Sequence, residues 1–88
     1  GVTRIALKEV NWIGEAVANE DALDGREILV RVRSTREPAP ATLRVGAGWH
    51  VDLATPEEGV APGQAAVFYD PQTSRVLGGG WIMATETK

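Results

Sequence analysis

Arginine is the residue type in this chain whose placement could do chemistry. Arg26, Arg31, Arg33, Arg36 and Arg44 fall within residues 26–44, with only Glu27 and Glu37 to offset them. That segment carries +3, while the rest of the 88-residue chain carries −6. A guanidinium presents a planar fork that donates two hydrogen bonds to a phosphate or carboxylate. The whole chain is acidic, with a pI near 5.0. A basic segment in such a chain points to a local anion site rather than to general affinity for nucleic acid. Arg31 and Arg33 are two residues apart, which in a strand puts them on one face about 6–7 Å from each other. Arg44 belongs to the polar face of the next strand and Arg36 to the connection, so pairing of the two strands would gather the guanidiniums into one patch. Two readings stand side by side: a phosphate-binding patch, or a solvated strand face whose arginines protect an edge.

Other candidates are weaker. Gly78-Gly79-Gly80 could leave backbone N–H groups free to cradle an anion. No Lys-Ser/Thr follows it and no strand-to-helix context surrounds it, so a bulge or a bend with close backbone approach is the plainer reading. His50 is the only histidine and there is no cysteine, so a metal site would be short of ligands. Glu57 and Glu58 are adjacent and point in different directions, which does not suit an acid/base pair. Ser34 and Ser74 lack a neighbouring base. No catalytic residue and no metal ligand is assigned. Trp12, Trp49 and Trp81 sit in strand patterns and suit core or rim packing, with stacking on a base as the alternative.

These side chains must be positioned by strands. Ten glycines and five prolines punctuate the chain, and no window holds a convincing 3.6-residue apolar period. Thr3–Ile13 reads as a strand, and residues 15–25 as a loop prone to disorder that ends in the turn Asp24-Gly25. Glu27–Arg33 is the clearest strand, with Ile28, Val30 and Val32 on one face and Leu29, Arg31 and Arg33 on the other. Pro38 and Pro40 break the next segment before Ala41–Val45 alternates again. Gly46-Ala47-Gly48 suits a hairpin loop, and Trp49–Leu53 alternates with His50 and Asp52 outward. Thr55–Gly59 reads as one helical turn, with Thr55 as cap and Pro56 at the first helical position. Pro62-Gly63 signals a type II turn, Ala65–Tyr69 a strand, and two further short segments flank the three glycines. The expectation is an all-β fold: one domain over residues 1–88, a small, six-stranded, mostly antiparallel barrel with at most one short helical turn near 55–59. Closure is favoured because so small a sheet would otherwise expose its edges. No membrane span and no signal peptide is read, and the lack of cysteine favours a cytoplasmic location.

The run Gly59–Asp70, followed by Val76–Ile82, resembles the end of bacterial tRNA-specific 2-thiouridylases. Val10–Gly14 does too, and Val30–Arg36 with Pro40–Thr42 is similar to the family's basic strand. The resemblance spans most of residues 3–84, is most specific over 59–82 and is weak in the 15–25 loop. It implies the C-terminal β-barrel of a longer enzyme that adenylates the wobble uridine of tRNA with ATP (and Mg) and replaces an oxygen with persulfide sulfur. The nucleotide loop and catalytic cysteines of that family have no counterpart here, so the fragment itself is expected to be non-catalytic and to hold no cofactor. Expected partners are tRNA, the enzyme's own N-terminal catalytic and central domains, and a sulfur-donor protein. On this reading Arg31, Arg33, Arg36 and Arg44 contact tRNA backbone phosphates. Two alternatives remain: a structural barrel that packs on its catalytic domain, or a protein-interaction module.

Overall fold

Alternation of apolar and polar side chains builds the molecule. In a computed structural model that describes residues 1–87, six strands form: β1 (Val2–Trp12), β2 (Glu27–Arg31), β3 (Ala39–Arg44), β4 (Trp49–Glu57), β5 (Ala65–Tyr69) and β6 (Val76–Thr87). They close into a barrel in the order β1-β4-β3-β2-β5-β6, and every neighbouring pair is antiparallel. β2, β3 and β4 form a meander. β1 reaches the far side of it through the long 13–26 connection and pairs with β4, a Greek-key arrangement. The all-β barrel expected from turn spacing is thus the observed fold.

The inward positions form one core. Ile5 and Leu7 of β1, Ile28 and Val30 of β2, Leu43 of β3, Val51 of β4, Phe68 of β5 and Leu77 and Ile82 of β6 are all buried. Two loop residues complete it near opposite ends of β2: Leu23 beside the Gly25–Leu43 hydrogen bond, and Val60 next to Gly59, which lies under Arg33. Trp12 and Trp49 pack against the core from its rim, whereas Trp81 stands outside.

Three local expectations need correction. Thr55, Pro56 and Glu57 are not a helical turn but the end of β4, where Glu57 pairs with Val2. Between the Arg4–Asp52 and Val2–Glu57 pairs β4 has surplus residues, so Pro56 lies in an irregular stretch where its missing N–H interrupts no regular ladder. An isolated helical turn leaves its backbone groups unpaired, and β1 offers them partners. The 15–25 segment, read as a loop without a helical turn of its own, contains a 3₁₀ turn at Glu20–Leu23. Asn19 caps that turn by accepting a hydrogen bond from the Ala22 N–H, and Leu23 is buried. Pro40 does not break a strand; it lies in β3 opposite Leu29, one residue ahead of the Ala41–Leu53 pair that begins the β3–β4 ladder.

The glycine triad adopts the plainer of its two readings. β6 runs unbroken through it. A Cβ on Gly78 would collide with the Asn11 carbonyl of β1, and one on Gly79 with the Ala66 carbonyl of β5. Gly78 also has φ 141°, which few other residues adopt. The backbones of three strands converge here because there are no side chains to hold them apart. At Pro62-Gly63 the expected turn forms, with φ 92° at Gly63 and the Gln64 N–H donating to the Ala61 carbonyl.

Candidate functional site

β2 positions the central arginines. Its inward residues are Ile28 and Val30, and the chain continues inward at Val32, so Leu29, Arg31 and Arg33 face out. β5 lies beside β2, with Arg31 opposite Val67 and Leu29 opposite Tyr69. The Arg31 guanidinium stacks over Tyr69, 5.8 Å from the ring centroid. Its Nε is buried and has no hydrogen-bond partner among the described residues. Arg33 lies over Gly59, whose φ is 72°; a side chain at that position would collide with the guanidinium.

Arg31 and Arg33 line one pocket of about 270 Å³ together with Ser34, Ala65, Val67 and Tyr69. A neighbouring groove of about 260 Å³ shares Arg33, Ser34 and Ala65 and adds Val32 and Gln64. Among the described residues neither Arg31 nor Arg33 has a carboxylate within 4.0 Å. The pocket thus offers two guanidiniums, a hydroxyl and an aromatic ring. That donor set can bind a phosphate bidentately and pack a sugar or base beside it.

The structure divides the four predicted arginines. Arg36 stays close to Arg33, since its backbone N–H donates to the Arg33 carbonyl, but its guanidinium pairs with Glu57 at 3.3 Å. Arg44 lies apart. The antiparallel register pairs Glu27 with Thr42, which sets Arg44 beside Gly25, six residues along from Arg31 or about 20 Å of strand. There it pairs with Asp24 at 3.4 Å. The single patch expected from strand pairing is therefore a central pair with one neighbour, and a separate fourth arginine. Arg44 instead shares a groove with Arg4, Asp24 and His50. His50 faces outward on β4 between Ala6 and Arg44, and Arg4 pairs with Asp52 at 3.3 Å.

Arg26, the remaining member of the basic segment, is tied down most firmly. It donates to both Glu15 carboxylate oxygens at 3.0 and 3.1 Å, to Asp70 at 3.3 Å and to the Glu27 carbonyl, and it lies 5.9 Å from the Trp12 ring centroid. Those hydrogen bonds hold Glu15 below its ordinary pKa of 4.5, and Glu15 in turn raises Arg26. Asp70 is also lowered, first by the N–H groups of Gln72 and Thr73 and then by Arg26. Tyr69 is the pocket residue that sequence reasoning did not single out. Ala65–Tyr69 is read from the sequence only as a strand, and the nearness of Tyr69 to Arg31 follows from the β2–β5 pairing.

The six strands close into a small antiparallel β-barrel domain with Arg31 and Arg33 on its outer face. The chain belongs to the aminomethyltransferase beta-barrel domain family, whose model matches residues 2–82. It is homologous to the C-terminal domain of tRNA-specific 2-thiouridylases. It is 57% identical over 82 residues to tRNA-specific 2-thiouridylase MnmA of Rhodopseudomonas palustris strain BisB5, which covers 90% of this chain and 21% of that protein. Against the protein of the same name from Bradyrhizobium sp. strain BTAi1 it is 56% identical over 84 residues, 92% of this chain and 21% of the relative. For Bradyrhizobium diazoefficiens strain USDA 110 the figures are 52% over 89 residues, 97% and 22%. The chain thus spans about a fifth of the length of the relatives it matches.

Proposed function

We propose that this barrel is the tRNA-seating domain of a longer enzyme that makes 2-thiouridine at the wobble position of tRNA. Arg31 and Arg33 carry the reading. Arg31 ends β2 and Arg33 lies two residues beyond it; both line one pocket with Tyr69 and Ser34, free of carboxylates among the described residues. Strand-borne arginines on an open face suit the phosphate backbone, because A-form RNA hides its major-groove edges from side chains. Arg36 and Arg44 add weaker phosphate contacts, since Arg36 must give up the largely covered Glu57 carboxylate and Arg44 the exposed Asp24 carboxylate to reach a phosphate.

The activation of the uridine by ATP and the delivery of sulfur from a donor protein belong to the remainder of that enzyme, in the cytoplasm. The barrel's own residues do not fit a nucleotide: its glycine triad is a strand pressed against the Asn11 and Ala66 carbonyls rather than a loop opening onto a helix. The barrel's contribution is to orient RNA, and it performs no bond-making step itself.

The test is tRNA binding by the full-length protein at two salt concentrations. Arg33→Ala is expected to weaken unrelated tRNAs by similar factors and to lower the slope of log K against log salt by about one. Unchanged affinity together with a lowered unfolding temperature would overturn the reading in favour of a purely structural barrel.

A further inference from the structure

On the far side of β5 from the arginines the barrel presents a different surface. Ile13, Val76 and Trp81 are 53%, 43% and 48% exposed, and they ring a groove of about 380 Å³ floored by Gly78–Gly80. Met83, 53% exposed, follows Trp81 on the same face of β6, since Ile82 between them points inward. Glu9, at a bulge in β1 with φ 53°, is the one ionisable residue lining the groove. The floor is bare backbone because strand convergence excludes side chains at Gly78 and Gly79. Its shape is therefore built into the barrel.

Large apolar side chains grouped in this way mark a surface that another surface covers. A glycine floor lets the covering side chains approach the backbone closely. We propose that the Ile13–Val76–Trp81 face docks on the remainder of the same, longer polypeptide; this rests on the reading of the chain as part of such an enzyme. The matched segment is 21% of each relative, so roughly four-fifths of such a protein lies outside the barrel. A tethered segment is present at an effective concentration in the millimolar range, which a second copy in solution does not reach. RNA is the weaker fit, because among the described residues the groove lining holds a carboxylate and no cation, and the nearby cations, Lys8 opposite Trp81 and Arg75 donating to the Ile13 carbonyl, stand at its margin. Ala65 and Val67 line both this groove and the arginine pocket. Docking here fixes the direction in which Arg31 and Arg33 face.

The test is hydroxyl-radical footprinting of the full-length protein without RNA, scored against the same protein in denaturant. Trp81 and Met83 are expected to be modified about tenfold or more slowly than in the denatured chain, where half-exposed side chains would show only about twofold protection. In full-length Trp81→Glu, protection at Met83 should fall to about twofold while Phe68 in the barrel core stays protected, which shows that the barrel is folded. Twofold protection in the unsubstituted protein would overturn the proposal. So would protection that vanishes on dilution, which means a second copy, or that requires added tRNA, which means an RNA surface. A gene product no longer than the barrel would overturn the longer-enzyme reading before any footprint is taken. Failure of Arg33→Ala to alter tRNA binding would overturn the RNA reading and leave this one standing.

Discussion

The two ends of β2 carry the same residue type in opposite states. At the start of the strand, Arg26 is held by Glu15 and Asp70 and stacks on Trp12, and nearby Arg44 is paired with Asp24. At the other end, Arg31 and Arg33 face a pocket with no carboxylate within reach among the described residues. A +3 segment in sequence therefore does not become a +3 surface. The acids that neutralise it come from elsewhere in the chain: Glu15 and Asp24 from the β1–β2 connection, Asp70 from the β5–β6 turn and Glu57 from the end of β4. Available positive charge is concentrated where those acids do not reach, and that is also where an aromatic ring and a hydroxyl stand.

Substitution at the two ends should therefore affect different quantities. The largest effect is expected from Arg31→Ala combined with Arg33→Ala. Each charge-assisted hydrogen-bonding group is worth about 1.5 kcal/mol, so tRNA affinity of the full-length protein should fall on the order of a hundredfold. The salt slope should fall by about two, measured by titration at several salt concentrations. A loss below threefold would break the comparison.

Arg26→Ala should do the reverse. Its hydrogen bonds to Glu15 and its stacking on Trp12 should contribute about 1 kcal/mol of stability, read as a lowered denaturation midpoint with tRNA affinity unchanged. The pH dependence has a definite sign. Glu15 and Asp70 are held below their ordinary values of 4.5 and 3.8, so their stabilising contribution is complete above those values and is lost as pH falls through the lowered ones. The stability gap between the unsubstituted protein and Arg26→Ala should narrow steadily on acidification below about pH 4. A gap that stays constant would mean the cost comes from packing against Trp12 rather than from charge.

Gly59→Ala probes the arginine pocket from beneath. The residue has φ 72°, and a Cβ there would displace the Arg33 guanidinium. Left-handed backbone costs a non-glycine residue about 1 kcal/mol. Stability should fall by about that amount, and tRNA affinity by a few-fold as Arg33 is pushed from its seat. Reduced stability with intact affinity would show that Arg33 does not need Gly59 for its placement.

Much of this was legible in the residues. The alternation of Ile28, Val30 and Val32 against Leu29, Arg31 and Arg33 is local and survived folding unchanged. So did the strand Ala65–Tyr69, the Pro62-Gly63 turn and the close backbone approach at the glycine triad, although the two short segments read on either side of the glycines are one strand, β6. What stayed hidden depends on partners distant in sequence. Thr55–Glu57 carries good helix-start chemistry, but β1 captures its backbone, and nothing local announces that pairing. Tyr69 joins Arg31 only because β5 lies beside β2. Asn19 and Leu23 order a loop whose acidic, small residues looked unstructured. The separation of Arg44 did leave a trace. In an antiparallel pair joined at residues 32–38, side chains close to the connection meet and those far from it do not, so Arg36 falls near Arg33 and Arg44 near Gly25.

That same register sets the smallest expected effect. Arg44 is about half-exposed and paired with an exposed Asp24, an arrangement worth 0–1 kcal/mol in most proteins. Arg44→Ala should shift the unfolding free energy by under about 0.5 kcal/mol, because the Asp24 carboxylate also accepts from the Val45 N–H and keeps that partner. Its effect on tRNA affinity should be about twofold, since a phosphate contact there must displace an existing ion pair and gains only the difference. Combined with Arg33→Ala the two effects should add, as the sites lie at opposite ends of β2 and share no ion-pair partner among the described residues. A tenfold loss from Arg44→Ala alone would mean that the RNA crosses the whole length of β2. The carboxylates at its start would then be yielding to phosphate, and the contrast between the two ends would be a property of the unbound protein only.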